Sequence, residues 1–442
     1  MSLCFKPIVF LFLFLFLFFC TAANILNENI AQKIWWVTYI VDFYLLIWLM
    51  HNYKKNGPAL MALIFLFTYY LAPLPYFLFE IPIVPYSDNI DYLSYLNTLN
   101  VMSGFLAALC LFSSVIKFKI TDNALQLEKE FEKNKSNSAL VLVYWILVVI
   151  FMLLTFRGEN VSNYSGSDNY SVYIKNLENQ GGSLEYFFLL MVIGYEISVR
   201  RIHKFLFFLV SIAYVYFCFT RGYRIQMVEM IIMILILKFK DMLTIKNILI
   251  ISFFGFFILQ AQGAMKHGVS DIDSLFSLMM GDEFRTNQTE VFYTSNNVIN
   301  PILSDQIDYL SRIESLIFSV TATVIPAGFL PEIWHSTISS QRITGLPGGG
   351  GGVIAGHYFY WLSYPGLLLG AFFVIILFGV FKGTNKPYVY FLSVLLLSTF
   401  PRWMVYEPVA LFFRIGVYYV LIRLIGLNLL QFAVKRNFLK VA

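Results

Sequence analysis

The chain has 442 residues, 59% of them hydrophobic, 18% aromatic and 13% charged, with a formal net charge of +5. A soluble domain carries about a quarter charged residues, so this chain lacks the polar surface that water requires. The basic residues sit at the ends of apolar runs, which argues against nucleic acid, and four singly placed cysteines (Cys4, Cys20, Cys110, Cys218) give neither a metal site nor a disulfide framework.

A helix needs about 20 apolar residues to cross roughly 30 Å of hydrocarbon. The chain therefore reads as an all-α polytopic membrane protein with about 12 transmembrane helices, at 7–24, 34–50, 59–79, 95–116, 139–156, 183–199, 205–220, 224–238, 247–265, 353–381, 387–401 and 405–428. The first run, from Lys6 through Phe and Leu to Thr21-Ala22-Ala23, fits either a span or a cleavable signal peptide. The pair between Phe205 and Lys238 is short and joined by almost no loop. Three regions result: spans one to nine in 1–265, a long outer segment in 266–352, and spans ten to twelve in 353–442.

Lysines flank every second loop: Lys54 and Lys55, Lys117 to Lys135, Lys204, Lys238 to Lys246, Lys382 and Lys386, and Lys435 and Lys440. By the positive-inside rule these loops and both termini are cytoplasmic. The opposite side holds 157–183, 266–352 and 401–408. In the long segment Ile307, Leu310, Ile313, Leu316, Ile317 and Val320 recur at threes and fours. That spacing predicts an amphipathic helix lying on the outer leaflet or capping the spans.

Sorted by side, the basic residues differ in kind. Lysine outnumbers arginine sixteen to four on the cytoplasmic side, whereas the outer side has three lysines and eight arginines. Topology needs only charge; arginine adds a planar fork that grips phosphate with two bonds and does not deprotonate. The outer arginines thus suggest an anionic ligand. Arg221 and Arg224 lie three apart at the hairpin Thr220-Arg221-Gly222-Tyr223-Arg224, and call for an anion between them or for Glu229. Arg414 lies about 12 Å into the last span, a depth that demands a cavity or a partner such as Asp42 or Glu229. Arg402 precedes Trp403, an aromatic suited to stacking a sugar. Arg157 ends a span and fits an interfacial role as well as a binding one. Arg285 has Asp282 and Glu283 beside it, and Arg342 completes the set. Arg312, four residues after Asp308, is expected to form a helix ion pair and to tolerate lysine.

His357 follows a glycine run, Gly348 to Gly352, whose backbone suits either a hinge or close approach to phosphate or sugar. No His-x-x-x-His or Cys-x-x-Cys spacing occurs, so no metal or other cofactor is expected.

These features resemble the O-antigen and oligosaccharide repeat-unit polymerases, bacterial inner-membrane glycosyltransferases with ten to fourteen spans. Three elements carry the resemblance: Phe219-Thr220-Arg221-Gly222-Tyr223-Arg224 opening a mid-chain helix; Gly348 to Gly379, with Trp361-Leu362-Ser363-Tyr364-Pro365-Gly366 leading into an apolar span; and the long outer segment between them. They cover less than half of the chain. Gly356-His357-Tyr358-Phe359-Tyr360 stands where the family more often has an acidic residue, which leaves the role of His357 open.

The resemblance implies transfer of a glycan from polyprenyl pyrophosphate to a hydroxyl of an incoming lipid-linked repeat unit on the periplasmic face. A flippase and a chain-length regulator are the implied protein partners, and membrane lipid surrounds the chain. Arg221, Arg224, His357 and Glu290 are then the catalytic candidates, with Arg402, Arg414, Arg342, Arg157, Trp403 and Trp361 as substrate-binding candidates. His335 and Glu332 are further candidates for the base. An O-antigen ligase or other lipid-linked glycosyltransferase, or a lipid-linked oligosaccharide flippase, are the alternatives.

Overall fold

The computed structural model describes residues 2–22, 27–81, 91–116, 138–157, 183–198, 200–266, 286–325, 351–383, 386–405 and 410–427. All regular structure among them is helical. The helices are α1 (Ser2–Ala22), α2 (Glu28–Asn52), α3 (Gly57–Tyr70), α4 (Leu74–Phe79), α5 (Tyr92–Val115), α6 (Ser138–Thr155), α7 (Ser183–Ile197) and α8 (Arg201–Thr220). They continue with α9 (Arg224–Lys238), α10 (Ile245–Lys266), α11 (Asn287–Leu303), α12 (Tyr309–Val324), α13 (Ile354–Gly383), α14 (Pro387–Ser398), α15 (Phe400–Val405) and α16 (Ala410–Leu421).

Each segment read as a span contains helix, and α11 and α12 come from the long outer segment. By length and composition five helices can cross a membrane: Glu28–Asn52, Gly57–Phe79, Tyr92–Val115, Arg201–Thr220 and Ile354–Phe381. Shorter apolar helices lie at Lys6–Thr21, Val141–Thr155, Tyr186–Ile197, Ile245–Leu259 and Pro387–Ser398. Large apolar side chains stand open on their outer faces, among them Phe12, Ile47, Leu154, Ile202 and Phe253. Apolar surface of that extent on helices of this composition belongs against lipid rather than water.

Local chemistry sets the helix starts. Asn27 caps α2 by accepting the Ile30 N–H at 3.0 Å, and Asp91 caps α5 by accepting the Ser94 N–H at 2.7 Å. Thr286 and Thr289 form a reciprocal capping box at the start of α11.

Helix α5 is the centre of the bundle, enclosed by α1, α2, α11 and α13. Its small residues permit this. Gly104 lies against Phe14 of α1 and Leu367 of α13, and Ala107 and Ala108 are fully buried one turn on.

Contacts sort the loops into two ends. At one end Asn52 meets Ser113, Asn56 donates to the Phe378 carbonyl, and Gly57 abuts Leu243. Lys204 and Lys238 both lie over the Tyr195 ring at this end, and Arg423 pairs with Glu196 at 2.8 Å. At the other end Glu28 meets the start of α5, Thr21 meets Tyr364, and Tyr214 donates to the Leu184 carbonyl. Among the described residues, the turns that carry Lys54, Lys55, Lys204 and Lys238 thus share one end.

Opposed ends make a labelling prediction. In a cysteine-free background, Ser304→Cys, after α11, and Asp241→Cys, between α9 and α10, are exposed positions at opposite ends. An impermeant maleimide applied from outside is expected to label Ser304→Cys in intact cells and Asp241→Cys only after lysis. Equal labelling of both in intact cells would refute the two-ended arrangement.

Candidate functional site at the arginine-bearing end

The hairpin between α8 and α9 builds the first part of the site. Gly222 turns the chain with φ 75°, which glycine adopts without steric cost, and the Tyr223 N–H closes the turn on the Cys218 carbonyl at 2.9 Å. Arg221 lays its guanidinium over Phe217 at 4.8 Å and Phe156 at 5.2 Å. Those two rings are themselves stacked at 5.0 Å. A cation over ring faces is attracted by their quadrupole and so held in place. Arg157 follows Phe156 directly and is exposed, so the ring pair brings Arg157 and Arg221 to one place. Arg224 is the first residue of α9 and is half-buried.

Helix α9 packs on α15, which carries Arg402, half-buried, and Trp403. Trp403 is 3% exposed, donates its indole N–H to the Leu396 carbonyl at 2.8 Å, and lines a small apolar cavity with Ile354 and Tyr358. Arg414 lies in α16 beside Tyr186, whose ring is 5.8 Å from Tyr418. Asp42, one partner expected for Arg414, forms no ion pair with it.

The second part of the site is the start of α13. Ser295 of α11 accepts the Val353 N–H at 2.8 Å, and His357 Nε2 accepts the Gly352 N–H at 3.3 Å. Both contacts satisfy amides that a helix start leaves open. The Nε2 lone pair of His357 is therefore engaged by the backbone. Trp361 is 4% exposed and donates to Ser315 Oγ at 3.3 Å. Neither tryptophan presents an open face to a sugar. Glu290 sits half-buried in the first turn of α11, where the helix dipole favours a carboxylate. Arg342, Arg285, His267, Glu332 and His335 lie outside the described residues.

Helix α13 is broken. Ser363 has φ 54° and ψ −138°, and Pro365 follows, so the arm 354–362 folds against the arm 364–383. The fold-back is tight enough that a Cβ on Gly366 would lie 1.9 Å from the Tyr358 carbonyl oxygen.

Arg312 fills the break. Its guanidinium donates to the carbonyls of Tyr360 and Phe359, the latter at 3.2 Å, and to Ser363 Oγ at 2.6 Å. The expected ion pair with Asp308 does not form, because Asp308 caps α12 through the Leu310 and Ser311 N–H groups. Burial pushes the Arg312 pKa down, opposed by Tyr360, Tyr309 and Asp305.

Helix α12 accordingly packs polar side inward. Arg312, Ser315 and Ser319 are buried, whereas Leu310, Ile317 and Val320 are exposed. A sequence signal for this existed: Arg312, Ser315 and Ser319 share the face opposite the apolar one, and Ser363-Tyr364-Pro365-Gly366 is a breaker inside an apolar run.

A polar network also escaped the sequence reading. Asn296 accepts from Ser94 at 3.2 Å and from Thr98 at 2.8 Å, and Asn300 donates to Thr98 at 3.1 Å. It ties α11 to α5 beneath the start of α13. No protein-family model, curated protein or solved structure matches the chain.

Two substitutions test the break. Arg312→Lys keeps charge but cannot fill three acceptors in one plane; hydrogen bonds of a charged group contribute about 1.5–3 kcal/mol. A clear fall in the thermal midpoint of the purified protein is expected, with the neighbouring exposed Glu314→Gln silent. Gly366→Ala places a methyl group into backbone and should abolish the folded protein, whereas Gly255→Ala, with nothing within 4 Å of its Cβ, should be tolerated.

Proposed function

We propose that this chain polymerises polyprenyl-pyrophosphate-linked oligosaccharide repeat units at the periplasmic face of a bacterial inner membrane. The observation that carries the reading is the segregation of its cations. Arg157, Arg221, Arg224, Arg402 and Arg414 belong to the end opposite the lysine-flanked turns, on helices that pack around one another. In this reading the chain crosses the membrane about twelve times. The segment 266–352 is periplasmic, with α11 and α12 packed on the spans and the exposed apolar face of α12 turned to lipid.

The chemistry asks for such an end. The bond between the anomeric carbon and the pyrophosphate oxygen breaks, and a hydroxyl oxygen of the acceptor sugar takes its place on that carbon. The hydroxyl proton passes to a base, and charge grows on the leaving pyrophosphate. Fixed guanidinium groups in a site with little water stabilise that charge without reorganising. Arg221, held flat on Phe217 and Phe156, is ordered before substrate arrives. Among the described base candidates Glu290 is better placed than His357, whose Nε2 already accepts the Gly352 amide. Protonation is a coupled choice here, since a charged His357 would give up that bond.

The test is a set of single Arg→Lys variants at 221, 224, 402 and 414 in a deletion strain, with membrane protein levels matched. The readout is surface glycan length on a gel. Losing a forked donor at a leaving group costs about 2.7–4 kcal/mol, a rate loss on the order of a hundredfold or more. Single-repeat glycan is therefore expected, with Arg201→Lys at the lysine-bearing end unchanged. Wild-type ladders from all four variants would remove the pyrophosphate clamp. Loss of all surface glycan, including single repeats, would favour a flippase or ligase instead.

A second expectation follows from arginine taking over charge neutralisation: purified protein should form polymer in excess chelator. Full loss of activity restored by one divalent ion would contradict it.

A further inference from the structure

Helices α2 and α5 meet along a polar seam that runs from one end of the bundle to the other. Glu28 accepts the Tyr92 and Leu93 N–H groups at 2.9 Å each. Further along, Thr38 donates to Asn100 Oδ1 at 3.0 Å, the Cys110 thiol reaches the Leu45 carbonyl at 3.6 Å, and Asn52 donates to Ser113 at 3.3 Å. These pairs satisfy each other, as interhelical polar contacts in apolar surroundings must.

Asp42 breaks the pattern. It is 0% exposed, and neither carboxylate oxygen accepts a hydrogen bond of normal geometry, the Ser103 hydroxyl alone being near enough to stabilise its charge. Fourteen residues separate it from Glu28 and ten from Asn52, about 21 Å and 15 Å of helix, which places it near the middle of the seam. The hydroxyl groups around it have their protons committed elsewhere. Ser103 faces Asp42 from α5 and donates to the Leu99 carbonyl at 2.8 Å. Tyr39, on the same helix, donates to the Tyr70 carbonyl at 3.1 Å, and Tyr70 of α3 donates to the Met102 carbonyl at 2.5 Å. The titratable groups sharing this interior are Tyr39, Tyr70 and Cys110. Among the described residues no lysine, arginine or histidine pairs with Asp42.

A carboxylate in such a place, rich in acceptors and short of donors, requires positive charge that the fold does not supply. The carboxylate and the hydroxyl oxygens beside it suit a hard cation rather than a soft metal. We propose that the interface of α2, α3 and α5 holds an exchangeable monovalent cation at Asp42, with Ser103, Tyr39 and Tyr70 as neighbouring oxygen donors. Na⁺ and the proton share this chemistry. The inference rests on the fold and not on the polymerase reading, so each stands or falls alone.

The experiment uses full-length protein in lipid nanodiscs, with thermal unfolding followed in NaCl against choline chloride at constant ionic strength, and separately against pH without sodium. A cation bound only by the native state raises the midpoint in proportion to the logarithm of its concentration. A sodium-dependent rise that Asp42→Asn abolishes supports the proposal with Na⁺ as the cation. A pH-dependent midpoint that Asp42→Asn flattens, without sodium dependence, supports it with the proton. A wild-type midpoint indifferent to both, or an Asp42→Asn protein with the wild-type response, overturns it. If Asp42→Asn does not fold, the decision falls to radioactive sodium binding and proton release on the wild-type protein: saturable binding of one cation supports the site, and none refutes it.

Discussion

The backbone carbonyls of Phe359 and Tyr360 lie at the break of α13 at Ser363, on residues buried in the bundle. Every buried carbonyl in such surroundings must be satisfied from within the protein. Arg312 does this from another helix, and much else depends on it. Because its guanidinium points inward, α12 turns Arg312, Ser315 and Ser319 to the protein and Leu310, Ile317 and Val320 outward. Because the break is stabilised, the arm 354–362 lies against α11, where Ser295 and His357 close its first turn. The arm also places Tyr358 and Ile354 against Trp403, next to Arg402.

Two kinds of arginine therefore coexist at one end of the molecule. Arg312 is consumed by the fold: its Nε and Nη2 donate to acceptors across a helix break. Arg221 is held differently, on ring faces that fix its position, and the exposed Arg157 follows one of those rings in the chain. Charge on a side chain is the same in both; what differs is whether backbone carbonyls or ring faces hold it. The same distinction applies to the aromatics: Trp361 and Trp403 have their indole N–H groups committed and their faces covered.

The centre of the bundle follows from small residues. Gly104, Ala107 and Ala108 let α1, α2 and α13 approach α5 closely, and close approach in turn forces polar groups on α2 and α5 to find each other. Thr38 finds Asn100; Asp42 finds only hydroxyls whose protons are spent. Near the middle of a helix bundle that asymmetry has the physical meaning of a cation site rather than a packing accident.

What the sequence by itself determined are the properties that depend on runs and counts. Apolar stretches set the helices, lysine placement sorted the loops into two groups, and Gly222 between two short apolar runs marked the α8–α9 hairpin. These are local: a run of twenty apolar residues has little choice but to form a helix in lipid, and a left-handed turn selects glycine. What only the tertiary structure decided is which polar groups meet. Asp308 lies four residues from Arg312, so spacing alone favoured an ion pair. The N-terminal amides of α12 claimed Asp308 and the broken α13 claimed Arg312, the second from a stretch some fifty residues away in the chain. Likewise His357 looked free beside a glycine run until the fold brought the Gly352 amide to its ring. Hydrogen bonds reach about 3 Å in space and take no account of distance along the chain, so their partners become known only when the helices have packed.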